Sequence, residues 1–187
     1  METRLEGIVH ASRYDSSARG KQFLGTGIES SDGKVWVIDY DEQSPFHAFA
    51  GRRVVVFGEP YEPEPEDQHL VGWGEGKQLG HFHVSTLRPV EVMPDGELVE
   101  VGPGHRLSGR LQRGTSDTGE PMLFFVTENG DSFLVANDPA GAKVGRSVEV
   151  WAYPVKRRSS MPETRGQYLW IISPYSAADP WEWRGRR

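Results

Sequence analysis

The chain contains the same pattern of short apolar segments twice, and this internal repeat limits its possible folds more than any other feature. Leu5-Glu6-Gly7 matches Leu107-Ser108-Gly109. Further along, Gly51-Arg52-Arg53-Val54-Val55-Val56 matches Gly145-Arg146-Ser147-Val148-Glu149-Val150. A repeat of this length can close a small hydrophobic core of its own. The repeat therefore predicts two similar domains in tandem.

The apolar segments of each repeat are short, and turn residues separate them, which is typical of β-strands. The chain has 22 Gly and 13 Pro, spread between these segments. Pro and Gly recur at 102–104, so we expect domains at 1–92 and 105–187 joined by a connector at 93–104. No stretch keeps a helical period, and 44–50 is the best candidate for a short helix. The predicted strands are 5–12, 21–29, 34–40, 52–58 and 80–88, followed by 106–113, 122–127, 132–136, 147–153 and 167–174.

In each repeat a glycine lies near the first strand, a hairpin joins strands two and three, and a bridging segment follows. This arrangement resembles the OB-fold, a five-stranded Greek-key barrel. SH3-like barrels share much of the pattern. The resemblance implies an all-β chain with two tandem five-stranded antiparallel barrels, OB-like or SH3-like, and little helix. It is a resemblance of fold, and no functional residue is carried over from it.

Alternation along the strands predicts which apolar side chains face each core. Trp36 and Phe133 occupy matching places in the two repeats, which favours packing over ligand stacking. The residues expected in the first core are Leu24, Ile28, Trp36, Ile38, Val54 and Val56. The residues expected in the second core are Met122, Phe124, Val126, Phe133, Val135, Val148 and Val150.

Composition narrows the classes of function. The chain has no cysteine, which excludes disulfides and thiolate chemistry and leads us to expect a cytoplasmic protein. It has no apolar run of about 18 residues, so we expect no membrane partner. Residues 1–94 carry 9 Lys and Arg against 15 Asp and Glu, a net charge of −6, and residues 95–187 carry 12 of each. Because phosphate contacts need cations, this charge disfavours nucleic acid as a partner of the first repeat.

The loop after the fourth strand of the first repeat is acidic and rich in proline. Prolines and like charges both hold such a segment extended. It offers one surface for a basic protein partner, a role that suits an immunity protein or a subunit of an assembly. The alternatives are a merely solvated loop and attraction to the matching basic loop of the second repeat. The residues assigned to this surface are Tyr61, Glu62, Glu64, Glu66, Asp67 and Trp73.

Cations concentrate in the second repeat, and they define a weaker alternative, which is binding of single-stranded nucleic acid. Trp181 and Trp183 lie in the C-terminal segment among arginines. They either complete a small core or stack on a base or a peptide. The cations assigned to this alternative are Arg110, Arg113, Lys156, Arg157, Arg158 and Arg165.

No nucleophile motif, phosphate loop or dinucleotide fingerprint is present, so we predict that the protein is not an enzyme and needs no cofactor. The competing hypothesis is a metal-dependent hydrolase. His81 and His83 lie two residues apart on one predicted strand, and His69 lies in the loop before it. Such a trio can ligate zinc, although this spacing is common by chance.

Overall fold

The structure is a computed structural model, and it describes residues 2–16, 21–39, 43–62, 70–71, 79–116, 118–139, 143–160 and 166–172. These residues form β-strands and one 3₁₀ helix, and no α-helix occurs among them, which confirms the all-β prediction. The chain divides into two compact units, residues 1–93 and 94–187. We call them the first and second unit.

The described residues of the first unit form six strands and the 3₁₀ helix. The helix lies within the predicted segment 44–50, and the Ser44 hydroxyl caps it by accepting a hydrogen bond from the Phe46 amide at 3.2 Å. Gly33 takes a φ of 81° in the turn between the second and third strands. The elements are β1 (Thr3–Ser16), β2 (Lys21–Ser30), β3 (Val35–Asp39), the helix (Pro45–Phe49), β4 (Arg53–Tyr61), β5 (Leu70–Val71) and β6 (Leu79–Pro89).

Five of these strands close into a barrel. Strand β1 pairs with β2 and with β4, β2 pairs with β3, and β6 pairs with both β4 and β3. The β3–β6 pair is parallel, with Val35 opposite Leu79 and Val37 opposite His81. The expectation of an entirely antiparallel barrel is therefore wrong at this pair. After β3 the chain forms β4, which runs back in the opposite direction, and β6 then begins at the same end of the barrel as β3.

Most of the residues predicted for the core of the first unit are buried. Ile28, Ile38, Val54 and Val56 are buried, as expected. Trp36 is only partly buried; its ring meets Phe82 edge-on, and the Lys34 ammonium lies 3.8 Å from its centre. The side chain of Leu24 lies outside the described residues.

The second unit contains β7 (Leu98–Val101), β8 (His105–Thr115), β9 (Pro121–Thr127), β10 (Ser132–Leu134), β11 (Ser147–Arg157) and β12 (Gly166–Ile172). Antiparallel pairs give the order β10–β9–β8–β11–β12. Strands β8 and β7 pair one after the other with the same edge of β11. Pro154 of β11 lies at the break between these two pairings, where the missing N–H of proline would otherwise leave a ladder hydrogen bond unmade.

Strands β10 and β12 approach each other through a single parallel bridge, Val135 to Leu169. The Ala136 amide donates to the Leu169 carbonyl at 2.8 Å. The Asn137 side chain then acts like a further strand residue. It donates to the Ile171 carbonyl at 2.7 Å and accepts from the Ile171 amide at 2.8 Å.

The core of the second unit corrects the predicted register of β9. Phe125 is fully buried together with Leu111, Val150 and Ile171, and Leu123 packs against them. Because side chains alternate along a strand, Met122, Phe124 and Val126 face the opposite side, and their assignment to the core is wrong. The other core assignments are closer, since Val150 is buried and Phe133, Val135 and Val148 pack against the core.

A matching glycine permits close strand contact in each unit. A Cβ at Gly7 would collide with the carbonyl oxygen of Glu29 on the neighbouring strand. A Cβ at Gly109 would collide with the carbonyl oxygen of Val126 in the same way. The Leu-x-Gly segment of each repeat thus marks a place where the first strand lies too close to its neighbour for a side chain.

Candidate functional site

Tyr61 and two histidines form an aromatic cluster on the face of β4 and β6 that points away from Val54 and Val56. In the β4–β6 register Tyr61 lies opposite His81, and Glu59 lies opposite His83. The Tyr61 ring stacks on His83 with centroids 4.2 Å apart and planes at 28°. It also meets His81 at 5.4 Å and 58°. We call these three residues the Tyr61 cluster.

The cluster is anchored on one side and accessible on the other. His81 is 8 % exposed, Tyr61 is half-buried, and His83 is exposed. A ring held by stacking loses little conformational freedom when a partner lies against it. The Tyr61 cluster is therefore a preorganised aromatic surface.

Acidic side chains flank this surface. Glu59 and Glu62 are both exposed, one on β4 and the other just after it. Four other residues assigned to the acidic surface, Glu64, Glu66, Asp67 and Trp73, lie outside the described residues. Of the residues assigned to the acidic surface, the structure therefore describes Tyr61 and Glu62, which are adjacent in the chain. Glu59, which the sequence did not assign to this surface, lies two residues before Tyr61 on β4.

The structure brings the histidine pair into contact with a residue assigned to another site. His81 and His83 share one face of β6, and Tyr61 contacts both rings. His69 lies outside the described residues. Among the residues that the structure describes, no group of three or more His, Cys, Asp or Glu side chains is placed to hold a metal ion.

The cations predicted as a basic loop in the second unit make contacts with the segment that contains β7. The Lys156 ammonium lies 2.6 Å from a Glu100 carboxylate oxygen. Arg157 donates twice to the Gly96 carbonyl, at 2.9 and 2.7 Å, and its guanidinium lies 5.9 Å from the Tyr168 ring centre.

Arg158 continues the same pattern more weakly, with its Nε 3.9 Å from an Asp95 oxygen. Backbone bonds between Gly96 and Arg158 and between Arg158 and Glu97 reinforce it. These side chains therefore hold 95–101 against β11, which reduces the positive charge they offer to a phosphate. Arg165 lies outside the described residues.

The remaining pair of predicted cations, Arg110 and Arg113, lies on β8, and both side chains are exposed. Arg110 lies opposite Val126, and Gln112 lies opposite Phe124. The β9 side chains that the sequence assigned to the core thus share the outer face of the sheet with Arg110. We call Arg110, Gln112, Met122, Phe124 and Val126 the outer β8–β9 face.

Sequence reasoning missed Phe124 as a surface aromatic, and it missed how close Glu59 lies to the histidines. Residues 122–126 are all apolar, so alternation does not show which of them face outward. Gly114 was a usable signal, since a Cβ there would lie 2.7 Å from the Phe124 ring. A glycine beside an aromatic residue leaves room for the ring to lie across the strand.

Two carboxyl groups on the surface of the first unit, those of Glu6 and Asp32, have lowered pKa values. The Glu6 carboxylate accepts a hydrogen bond from Arg4 at 2.5 Å and contacts Arg53 at 2.6 Å. The Arg4 hydrogen bond, aided by the charges of both arginines, lowers the pKa of Glu6 below its usual value of 4.5. The Ser30 hydroxyl lowers the pKa of Asp32 by donating to its carboxylate.

No protein-family model matches the chain. Comparison with curated proteins and with solved structures also gave no match. In the part of the chain that the structure describes, no helix is both long and apolar enough to cross a membrane.

Proposed function

We propose that this protein is a non-catalytic binding protein that engages a basic partner protein through the first unit. The observation that carries the proposal is the fixed Tyr61 ring, stacked on His83 at 4.2 Å, with Glu59 and Glu62 exposed beside it. Protein interfaces favour tyrosine anchors, and exposed carboxylates attract a partner of positive charge.

This arrangement suits an arginine or lysine side chain of the partner. A guanidinium against the exposed side of the Tyr61 cluster gains a cation–π contact, and carboxylates can accept its hydrogen bonds. The net charge of −6 on residues 1–94 extends the attraction beyond the contact itself. The acidic residues at 64, 66 and 67 continue the same charge along the chain.

The proposal is tested by titrating the full chain with a short peptide of alternating arginine and glycine, and with the same peptide carrying neutral citrulline in place of arginine. We expect the arginine peptide to bind more tightly and to lose affinity as salt is added. Changing Glu59→Lys and Glu62→Lys together weakens binding by about thirtyfold or more, since the loss of two attractions of about 1 kcal/mol each costs about 2 kcal/mol before the new repulsion is added.

The matched control is the pair Glu2→Lys and Glu91→Lys. Both residues are exposed in the first unit, and their reversal changes the net charge equally. Equal losses in the two double variants would mean that only overall charge matters, and the site would be wrong. Binding of the citrulline peptide as tight as that of the arginine peptide would also contradict the proposal.

We further infer that the second unit is a barrel of the same OB-like type. If β8 to β12 are numbered as strands one to five, strand one pairs with strands two and four, strand two pairs with strand three, and strand four pairs with strand five. The barrel strands of the first unit pair in the same way. The parallel bridge between Val135 and Leu169 stands where the parallel β3–β6 pair closes the first barrel. The shared order supports descent of both units from one repeated sequence.

A second candidate function, binding of single-stranded nucleic acid, is favoured by the outer β8–β9 face. Barrels of this type bind oligonucleotides across a face that includes the second strand, which is β9 here. Phe124 shares the outer face with Arg110, one cross-strand pair away, and aromatic rings with nearby cations are what unpaired bases stack on. This candidate ranks second because the neighbouring cations at 156–158 are engaged with residues 95–100.

A labelled single-stranded oligonucleotide titrated at low salt tests this candidate. We expect Phe124→Ala to cost about 1–3 kcal/mol of binding free energy through lost stacking. Arg110→Gln lowers the slope of log affinity against log salt by about 0.7 through one lost phosphate contact. Arg146→Gln, on the exposed turn before β11, is the control and leaves both unchanged. Unaltered binding in Phe124→Ala would exclude this face.

A further inference from the structure

A pocket of about 410 Å³ opens within the second unit, and none of the functions above uses it. Strands β8 to β12 and the turn between β9 and β10 all contribute to its lining. Pockets of a few hundred Å³ are large enough for a small organic molecule. The chemistry of the lining indicates which kind.

The floor of the pocket is apolar and rigid. Leu107, Phe133 and Leu169 line it. Leu169 belongs to the buried core, and Leu107 and Phe133 pack directly against that core. Since core side chains are held by close packing, the floor offers a preformed apolar surface to the body of a ligand.

The turn between β9 and β10 contributes two acidic residues to the lining, Glu128 and Asp131, and both are exposed. Thr127 and Asp131 fix the turn, because the Thr127 amide donates to the Asp131 carbonyl at 2.8 Å and the Thr127 hydroxyl accepts from the Asp131 amide at 3.1 Å. Gly130 completes the turn with a φ of 91°. The two acids therefore sit on a rigid support.

The other ionisable groups of the lining do not oppose this negative charge. The Arg106 guanidinium lies 2.6 Å from a Glu149 oxygen, which balances its charge. The His105 Nδ1 lies 3.1 Å from the Pro103 carbonyl oxygen, which only accepts, so Nδ1 carries the proton.

We infer that this pocket binds a small organic cation with an apolar body. The body lies on Leu107 and Phe133, and the cationic head lies at the rim near Glu128 and Asp131. The apolar floor alone would accept any hydrophobic compound. The two carboxylates select a positively charged one and reject an anion by repulsion. The inference is independent of the partner proposed for the first unit.

The test uses the full chain, with 4-phenylbutylamine as the probe and 4-phenylbutanol as its uncharged analogue, followed by calorimetry and by amide chemical shifts. We expect the amine to bind at least about tenfold more tightly than the alcohol, which is about 1.4 kcal/mol. Glu128→Gln with Asp131→Asn removes this preference while leaving the weaker binding of the alcohol unchanged.

Glu120→Gln is the matched control, because Glu120 is exposed on the turn at the opposite end of β9. It leaves the preference for the amine intact. Amide shifts of 105–108 and 127–133 that move with the amine support the site. Equal affinity for amine and alcohol, a Glu120→Gln variant as impaired as the double variant, or an amine that causes no shifts in these segments would each overturn the inference.

Discussion

The two units use the same strand order but join their third and fifth strands by different means. In the first unit β3 and β6 pair over three successive positions, from Val35 with Leu79 to Val37 with His81. In the second unit one bridge joins Val135 to Leu169, and a side chain, Asn137, bonds both backbone groups of Ile171.

The difference shows that a backbone ladder and a single amide side chain can fill the same structural role. Asp39, which is buried, follows the last residue of β3 that pairs with β6 by two positions. Asn137 follows the bridge residue Val135 by two positions. A primary amide both donates and accepts, and so the Asn137 side chain can bond both backbone groups of Ile171 as a strand residue would. We expect the contact between β10 and β12 to depend on one side chain, and the pairing of β3 with β6 to depend on none.

The largest expected effect concerns the core of the second unit. Phe125→Ala should cost about 3–5 kcal/mol of unfolding free energy, because the ring is fully buried. Phe124→Ala, on the outer face, should cost only about 1 kcal/mol. Chemical denaturation of both variants measures this. A larger loss in Phe124→Ala than in Phe125→Ala would overturn the register that separates the outer β8–β9 face from the core.

The next effect tests whether the units are alike at their matching glycines. Gly7→Ala and Gly109→Ala each force a Cβ against a neighbouring carbonyl, and we expect each to cost about 1–3 kcal/mol. Amide hydrogen exchange, resolved by residue, should show the first change loosening the first unit and the second change loosening the second. Gly33→Ala and Gly130→Ala are not suitable controls because both glycines take positive φ. A Gly7→Ala variant as stable as the unaltered chain would contradict the likeness.

A smaller effect concerns the side chain of Asn137. Asn137→Ala removes two hydrogen bonds, and we expect a loss of about 1–2 kcal/mol confined to the second unit. The amides of Ala136 and Ile171 should lose protection from hydrogen exchange, while those of β3 and β6 keep theirs. Asn129→Ala, on the exposed turn, serves as the control. Full protection of the Ile171 amide in Asn137→Ala would show that the contact between β10 and β12 does not depend on this side chain.

The smallest effect concerns acid. Glu6 stands where the second repeat has Ser108, and its pKa is lowered by Arg4. A carboxylate whose pKa is lower in the folded state stabilises that state above its ordinary pKa of 4.5, and this contribution is lost as the pH falls through the folded value. We expect Arg4→Gln to raise the pKa of Glu6 in an NMR titration without moving that of Asp32, and Ser30→Ala to do the reverse. An unchanged Glu6 pKa in Arg4→Gln would contradict this cause.

Part of this fold could be predicted from the sequence, and the repeat carried most of it. Turn glycines and alternating apolar residues place the strands of the first barrel and the short helix near 44–50. They do not reveal that β3 and β6 run parallel, because strand direction depends on the path of the intervening chain. The register of β9 failed for another reason. Five successive apolar residues carry no alternation, so only the packing around Leu111 and Phe125 decides which side faces inward.

The residues of the candidate site could be identified one by one in the sequence, but their spatial arrangement could not. Tyr61 belonged to an acidic loop and His81 and His83 to a metal hypothesis, and only the β4–β6 register places them together. The cluster of Lys156, Arg157 and Arg158 appeared as free charge in the sequence. Their partners lie in 95–100, more than fifty residues away, where sequence proximity gives no hint of contact.

The measurement that tests the central proposal most directly is backbone and side-chain NMR of the full chain during titration with the arginine–glycine peptide. We expect the largest chemical-shift changes at 59–62 and in the ring of His83, with weaker changes throughout the second unit. Addition of salt should reverse them. Changes concentrated in the second unit, with Tyr61 and His83 unmoved at saturation, would contradict the proposal.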